Sequence, residues 1–161
     1  LRVELKNIQT NLNATILYVT HDQAEATTLA DKIGVLKEGH LVQIGTPEEI
    51  YENPNSIYVS QRLGSPKINI LPGTLLGMND VPTFGIRPEN ITIGNGNHSA
   101  KIISIENLGS ETVVALNFKD QEILVSIQGN YKSSINETIN FDINNKKVLK
   151  FDQEGNRIYE R

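Results

Sequence analysis

Residues 15–26, with the sequence TILYVTHDQAEA, predict how the first part of the chain folds. The run at residues 16–19 is continuously apolar, which is typical of a strand that a parallel sheet covers on both faces. Asp22 then offers a carboxylate as the N-cap of a helix, and Glu25 follows it in capping-box spacing. The pattern therefore predicts a buried strand that turns directly into a helix ending near residue 31.

His21 lies at the corner between this strand and this helix. Open α/β sheets bind their ligands at the carboxyl ends of their strands, which is where this corner would lie. A single histidine at such a corner is also commonly a surface residue or a local cap, so the corner alone leaves its role open. We expect Thr20 and Asp22 to shape the corner and to position the imidazole.

The chain resembles the ATP-binding subunits of ABC importers of the sugar and glycerol-phosphate type. The stretches that carry the resemblance are Val19-Thr20-His21-Asp22-Gln23, Glu25-Ala26, Leu29-Ala30-Asp31, Gly39, Gln43-Ile44-Gly45-Thr46-Pro47, Glu49, Tyr51, Pro54, Leu63-Gly64-Ser65-Pro66, Asn69 and Gly85-Ile86-Arg87-Pro88-Glu89. They span nearly the whole chain and are most specific at residues 16–66. The resemblance implies that His21 is the switch (H-loop) histidine, which hydrogen-bonds the γ-phosphate of ATP.

The same resemblance implies a two-domain fold. Residues 1–67 would be the α/β C-terminal remnant of a P-loop (RecA-like) ABC ATPase domain, and residues 68–161 an all-β, OB-like TOBE barrel. It also implies ATP and Mg²⁺ as cofactors of a longer parent protein. The implied partners are transmembrane permease subunits, a second ATPase subunit in a homodimer, and a regulatory protein at the TOBE domain. The implied location is cytoplasmic, peripheral on the inner face of the membrane.

The motifs that bind nucleotide phosphates in that family are not found among these residues. A P-loop requires Gly-x-x-x-x-Gly-Lys-Ser/Thr, because backbone N–H groups and one lysine wrap the phosphates. That stretch, the apolar strand ending in Asp-Glu, the Gln loop and the Leu-Ser-Gly-Gly-Gln signature are all missing. Residues 1–5 resemble the middle of a helix and include no Met. We therefore expect a fragment that binds no cofactor and hydrolyses no ATP alone.

Local signals predict the other elements of the first domain. Apolar spacing predicts a helix over residues 1–12. A hairpin is expected over residues 32–45, with a turn in which Gly39 adopts a positive φ. Thr46, Pro47 and Glu49 have the pattern of a capping box with proline in the first helical turn. Ser56 is expected to begin a helix that ends at residue 63 with Gly64 as its cap.

Hydrophobic spacing changes from helical to alternating near residues 66–73. Alternation predicts strands near residues 112–118, 122–127 and 139–143. Further strands are expected near residues 74–77, 84–87, 100–106 and 148–151. Lys119-Asp120 and Asn144-Asn145-Lys146 are each expected to form the tip of a hairpin between two strands. This number of short strands fits a small antiparallel barrel of the OB type.

Arg87 and Glu89 are the second candidate pair of functional residues. One interpretation is a regulatory contact of the accessory domain. The other, which we favour, is a structural Arg–Glu pair beside Pro88, which fixes the entrance of a strand.

Composition narrows the remaining classes of function. The net charge is −4 and neither domain has a basic surplus, which disfavours nucleic-acid binding. There is no cysteine, and the three histidines, at positions 21, 40 and 98, are scattered, so no metal site is predicted. No apolar run is long enough to cross a membrane. The alternative function is that of a stand-alone OB-type module that binds a small oxyanion or acts in regulation, although residues 15–31 have no place in a barrel.

Overall fold

A computed structural model describes residues 2–159 and the side chains of residues 3–159. The chain divides into two compact units, the first ending at Gly64 and the second beginning at Ser65. Each unit has its own hydrophobic core. The first unit is α/β and the second is mostly β, which confirms the predicted fold class. No helix of the described residues is long and apolar enough to cross a membrane.

Within the described part of the first unit there are four short helices and one hairpin. Helix α1 is Arg2–Leu12 and α2 is Gln23–Leu29; strands β1, Ile33–Lys37, and β2, His40–Gly45, pair antiparallel; α3 is Pro47–Glu52 and α4 is Ile57–Ser60. The turn of the hairpin contains Gly39 at φ +81°, as predicted. The core of this unit consists of Ile33, Val35, Ile50, Val59 and Leu63.

The start of α3 follows from its sequence alone. Thr46 accepts a hydrogen bond from the Glu49 N–H, and the Glu49 side chain accepts one from the Thr46 N–H at 2.8 Å, so the predicted capping box is present. Pro47 occupies the first helical turn, where the missing N–H has no intrahelical partner to lose. Helix α4 begins after Ser56 as predicted, but it ends at Ser60 rather than at residue 63.

The predicted strand at residues 16–19 is wrong. These residues have no regular secondary structure, and Leu17 and Val19 are 92% and 84% exposed. The physical reason is that no strand among residues 2–159 pairs with them, and apolar side chains are buried by a sheet only where neighbouring strands exist. The local pattern is that of a strand, but its expected sheet is not formed by the described residues.

Up to residue 159, where the described structure ends, the second unit has eight strands and three short 3₁₀ helices. The strands are β3 (Asn69–Pro72), β4 (Thr83–Ile86), β5 (Ile91–Asn107), β6 (Glu111–Phe118), β7 (Gln121–Gln128), β8 (Thr138–Ile143), β9 (Leu149–Phe151) and β10 (Arg157–Ile158). The 3₁₀ helices are Gly73–Leu76, Pro88–Asn90 and Asn145–Lys147. All strand pairs are antiparallel, in two sheets with the orders β10-β9-β4-β3 and β7-β6-β5-β8.

One core fills the space between the two sheets. Its buried side chains come from both sheets and include Leu71, Phe84, Ile86, Ile91, Ile102, Val114, Leu116, Ile123, Val125, Phe141 and Ile143. The core side chains of β6 and β7 are the alternating apolar residues predicted for them, although the other face of β6 is buried as well. The predicted turn between these strands contains Lys119 and Asp120, both at positive φ. Alternating apolar residues therefore fix the register of this unit.

Two predictions in this unit are wrong. Residues 74–77 are not a strand, since Gly73–Leu76 is a 3₁₀ helix closed by Gly77 at φ +72°. A local hydrogen bond from the Met78 N–H to the Gly73 carbonyl fixes this turn. Asn144 does not begin a hairpin tip, because the strands on either side of it, β8 and β9, belong to different sheets.

Candidate functional site

The corner at residues 20–22 is held by the hydroxyl of Thr20. Its Oγ1 accepts a hydrogen bond from the Asp22 N–H at 3.0 Å and donates one to Glu25 Oε2 at 2.7 Å. Tyr18 donates its phenolic hydrogen to the same carboxylate oxygen at 3.1 Å. These bonds connect the chain on both sides of His21 to the first turn of α2.

Asp22 caps α2 as the sequence predicts. Its Oδ1 accepts hydrogen bonds from the N–H groups of Ala24, at 2.8 Å, and Glu25, at 3.1 Å. The second hydrogen bond of the predicted capping box, from the Asp22 N–H to the Glu25 carboxylate, is replaced. The Asp22 N–H donates to Thr20 instead, and the Glu25 carboxylate accepts from Thr20 and Tyr18. The spacing identified the cap but not the partners of Glu25.

A second contact ties the beginning of α2 to the end of the first unit. The Gly64 N–H donates to Gln23 Oε1 at 2.8 Å. Gln23 is half-buried, while Ala26 and Ala30 pack against the core from the same side of the helix. The element that follows His21 is therefore anchored to the fold, although it is only seven residues long.

His21 itself is exposed at this corner. Its neighbours Thr20 and Asp22 are held by hydrogen bonds, and its side chain is accessible to a ligand. Among residues 2–159, no group of three or more Asp, Glu and His side chains is arranged to hold a metal ion. The His21 side chain at this corner can donate one hydrogen bond to an anion.

Arg87 and Glu89 lie in the second unit. Arg87 is only 4% exposed and immediately precedes the 3₁₀ helix Pro88–Asn90, whereas Glu89 is exposed within that helix. Burial of the guanidinium removes it from direct access to a large partner, which favours the structural interpretation for Arg87.

Two groups that organise these regions were not predicted. One is the Glu25 carboxylate with its two hydroxyl donors, Tyr18 and Thr20, because the spacing of Glu25 from Asp22 predicted a capping box instead. The other is Asn69, whose buried amide donates to the carbonyls of Ile86 and Leu124 and accepts from the Leu124 N–H. It links β3 and β4 to β7, in the other sheet, and so joins the two sheets of the unit.

Family comparison defines the class of the second unit. Residues 84–146, which run from β4 to the 3₁₀ helix after β8, match the TOBE domain family. A wider similarity covers nearly the whole chain, which resembles the C-terminal parts of ABC importer ATP-binding subunits. This finding confirms the resemblance seen in the sequence.

Three of the similar proteins are named as import ATP-binding proteins. The chain is 34% identical to the sn-glycerol-3-phosphate import ATP-binding protein of Psychromonas ingrahamii, over 99% of this chain and 50% of the relative. It is 35% identical to the protein of the same name from Rhizobium meliloti, over 98% of this chain and 51% of the relative. It is 36% identical to the xylose/arabinose import ATP-binding protein of Haloferax volcanii, over 74% of this chain and 38% of the relative. The chain spans about half the length of the first two relatives.

Proposed function

We propose that this chain is the C-terminal part of the ATP-binding subunit of an ABC importer, and that His21 is its switch histidine. The observation that carries the proposal is the exposed imidazole on a corner fixed by Thr20, Asp22 and Glu25. Similarity to import ATP-binding proteins over almost the entire chain supports it. The solute would be a sugar or a related small molecule.

In the longer subunit, His21 would act on the γ-phosphate of ATP. Charge spreads over the γ-phosphoryl oxygens as the bond to the leaving group weakens. A donor held in place before the reaction stabilises this charge without reorganising, so it contributes more in the transition state than in the ground state. His21 would therefore affect turnover much more than ATP affinity.

ATP and Mg²⁺ would be bound mainly by residues outside this chain. P-loop amides and lysine hold the phosphates and the metal in such ATPases, and no P-loop sequence occurs here. A single hydrogen bond to a charged phosphate oxygen contributes roughly 1.5–3 kcal/mol, whereas micromolar affinity requires about 8 kcal/mol. We expect no micromolar ATP binding by the 161-residue chain in calorimetric titration; such binding would reveal a different phosphate site.

Assembly and location follow from the same proposal. Two such subunits would pair and contact transmembrane permease subunits on the cytoplasmic face of the membrane. The TOBE unit would then be the surface available to a regulatory protein, and Glu89 is the exposed member of the candidate pair Arg87 and Glu89. No nucleic-acid partner is proposed, since the chain is acidic overall.

The test of His21 uses the complete subunit that contains this chain. His21→Ala should lower ATP hydrolysis on the order of a hundredfold and leave the Kd for ATP nearly unchanged. His40→Ala is the matched control, because His40 is equally an exposed histidine, at the start of β2. Hydrolysis by the His21 variant at close to the normal rate would refute the assignment.

A further inference from the structure

The Glu25 carboxylate accepts hydrogen bonds from the two hydroxyl side chains closest before His21, those of Tyr18 and Thr20. Oε2 accepts from Thr20 Oγ1 at 2.7 Å and from Tyr18 Oη at 3.1 Å. Hydrogen bonds to a charged acceptor are roughly twice as strong as neutral ones. Glu25 belongs to α2 and is half-buried, so it connects the irregular segment before His21 to a regular element.

The Thr20 hydroxyl extends this connection past His21. While it donates to Glu25, it accepts the N–H of Asp22, the residue after His21. The residues on either side of His21, Thr20 and Asp22, are thus joined through the Thr20 hydroxyl, and Glu25 sets the orientation of that hydroxyl. A hydroxyl without this acceptor would be free to rotate.

Residues 14–20 depend on such contacts because they form no strand. Their apolar side chains are largely exposed, and ladder hydrogen bonds do not hold them. Side-chain bonds to α2 are therefore important in fixing where the corner lies relative to that helix.

We propose that Glu25 is a positioning residue for His21, holding the corner so that the imidazole is directed outward in one orientation. This inference rests on the proposed function of His21 for its consequence in the reaction. Its structural content, which is order at residues 20–22, can be measured without any activity.

The first experiment compares variants of the 161-residue chain by ¹⁵N relaxation. Glu25→Leu removes the acceptor, whereas Glu25→Gln retains an acceptor oxygen for the hydroxyls. Glu48→Leu is the matched control, because Glu48 is an exposed carboxylate in the first turn of α3. We expect the amide order parameter of His21 to fall from roughly 0.85 to below about 0.6 in Glu25→Leu. It should stay unchanged in the other two variants.

Thr20→Val is a second variant that tests the same contact if Glu25→Leu fails to fold. It removes the bridging hydroxyl while α2 keeps its cap and its carboxylate. The His21 amide should again become mobile, with the amides of β1 and β2 unchanged. An ordered His21 amide in both Glu25→Leu and Thr20→Val would overturn the proposal.

The second experiment separates this inference from the proposed function. In the complete subunit, Glu25→Leu should lower the ATPase kcat by roughly ten- to a hundredfold, as expected for a misplaced catalytic group, with ATP affinity unchanged and Glu25→Gln near normal. If His21→Ala lowers kcat but Glu25→Leu does not, the positioning role is wrong. If His21→Ala has no effect while Glu25→Leu still mobilises the corner, the proposed function fails and the structural role of Glu25 stands.

Discussion

Replacing Asn69 by alanine should strongly destabilise the second unit. The Asn69 side chain is 7% exposed, and its Nδ2 donates to the Leu124 carbonyl at 2.8 Å and to the Ile86 carbonyl at 3.2 Å. Its Oδ1 accepts from the Leu124 N–H at 2.8 Å. The Asn69 amide thereby hydrogen-bonds both the N–H and the carbonyl of Leu124 in the opposite sheet, as a residue on a paired strand would.

The size of the effect follows from these three bonds. Each contributes roughly 0.5–1.5 kcal/mol net, and partners left unsatisfied in partly buried positions cost more than the average bond. The free energy of unfolding of the second unit should therefore fall by about 3 kcal/mol. For a domain of this size, a loss of 1 kcal/mol lowers Tm by roughly 4–8 °C, so the expected decrease is about 12–24 °C.

Urea denaturation monitored through the NMR amide intensities of β7 measures this loss of unfolding free energy, because those amides report on the second unit alone. Asn140→Ala is the control, because Asn140 is an exposed asparagine in β8 of the same unit. It should change stability by no more than about 0.5 kcal/mol. A loss below about 1 kcal/mol for Asn69→Ala would show that the amide does not join the sheets.

Three further perturbations test local features of the fold. Thr46→Ala removes the cap of α3 and should lower the stability of the first unit by about 1 kcal/mol in urea denaturation; an unchanged midpoint would contradict the capping role. Gly96→Ala would place a Cβ 2.1 Å from the carbonyl oxygen of Phe141, so it should lower Tm far more than Gly94→Ala, whose Cβ meets nothing within 4 Å; equal shifts in thermal scans would refute this. The backbone N–H of Asn156 lowers the pKa of Asp152 below its ordinary 3.8. The stability that Asp152 contributes is therefore complete above that pH and is lost as the pH falls through the lowered pKa. Asp152→Asn should make the free energy of unfolding less dependent on pH in this acid range. The same pH dependence in the variant as in the unmodified chain would argue against a stabilising role for Asp152.

Local chemistry made much of the fold predictable. The capping box of Thr46 and Glu49 and the turn at Lys119-Asp120 are encoded within a few residues, and both are present. Residues 16–19 have an equally clear apolar pattern, but burial of a strand depends on neighbours that sequence periodicity does not supply. The 3₁₀ helix at Gly73–Leu76 was mistaken for a strand because its short apolar run carries no period, and a local hydrogen bond decides its structure.

The candidate site was predictable in outline only. Sequence placed His21 at a corner before a helix capped by Asp22, and the structure has that corner. The partners of Glu25 were not predicted, because its spacing equally fits a capping box and only the geometry selects Thr20 and Tyr18. Asn69 was noted as part of the family pattern, but its partner Leu124 is distant in sequence and could not be inferred locally.

We propose that these residues are the C-terminal part of a longer ATP-binding subunit. The most direct measurement is the nucleotide sequence immediately upstream of the Leu1 codon in the source genome. We expect an open reading frame that encodes Gly-x-x-x-x-Gly-Lys-Ser/Thr and then Leu-Ser-Gly-Gly-Gln before it reaches Leu1. An in-frame stop codon directly upstream of Leu1 would contradict the claim.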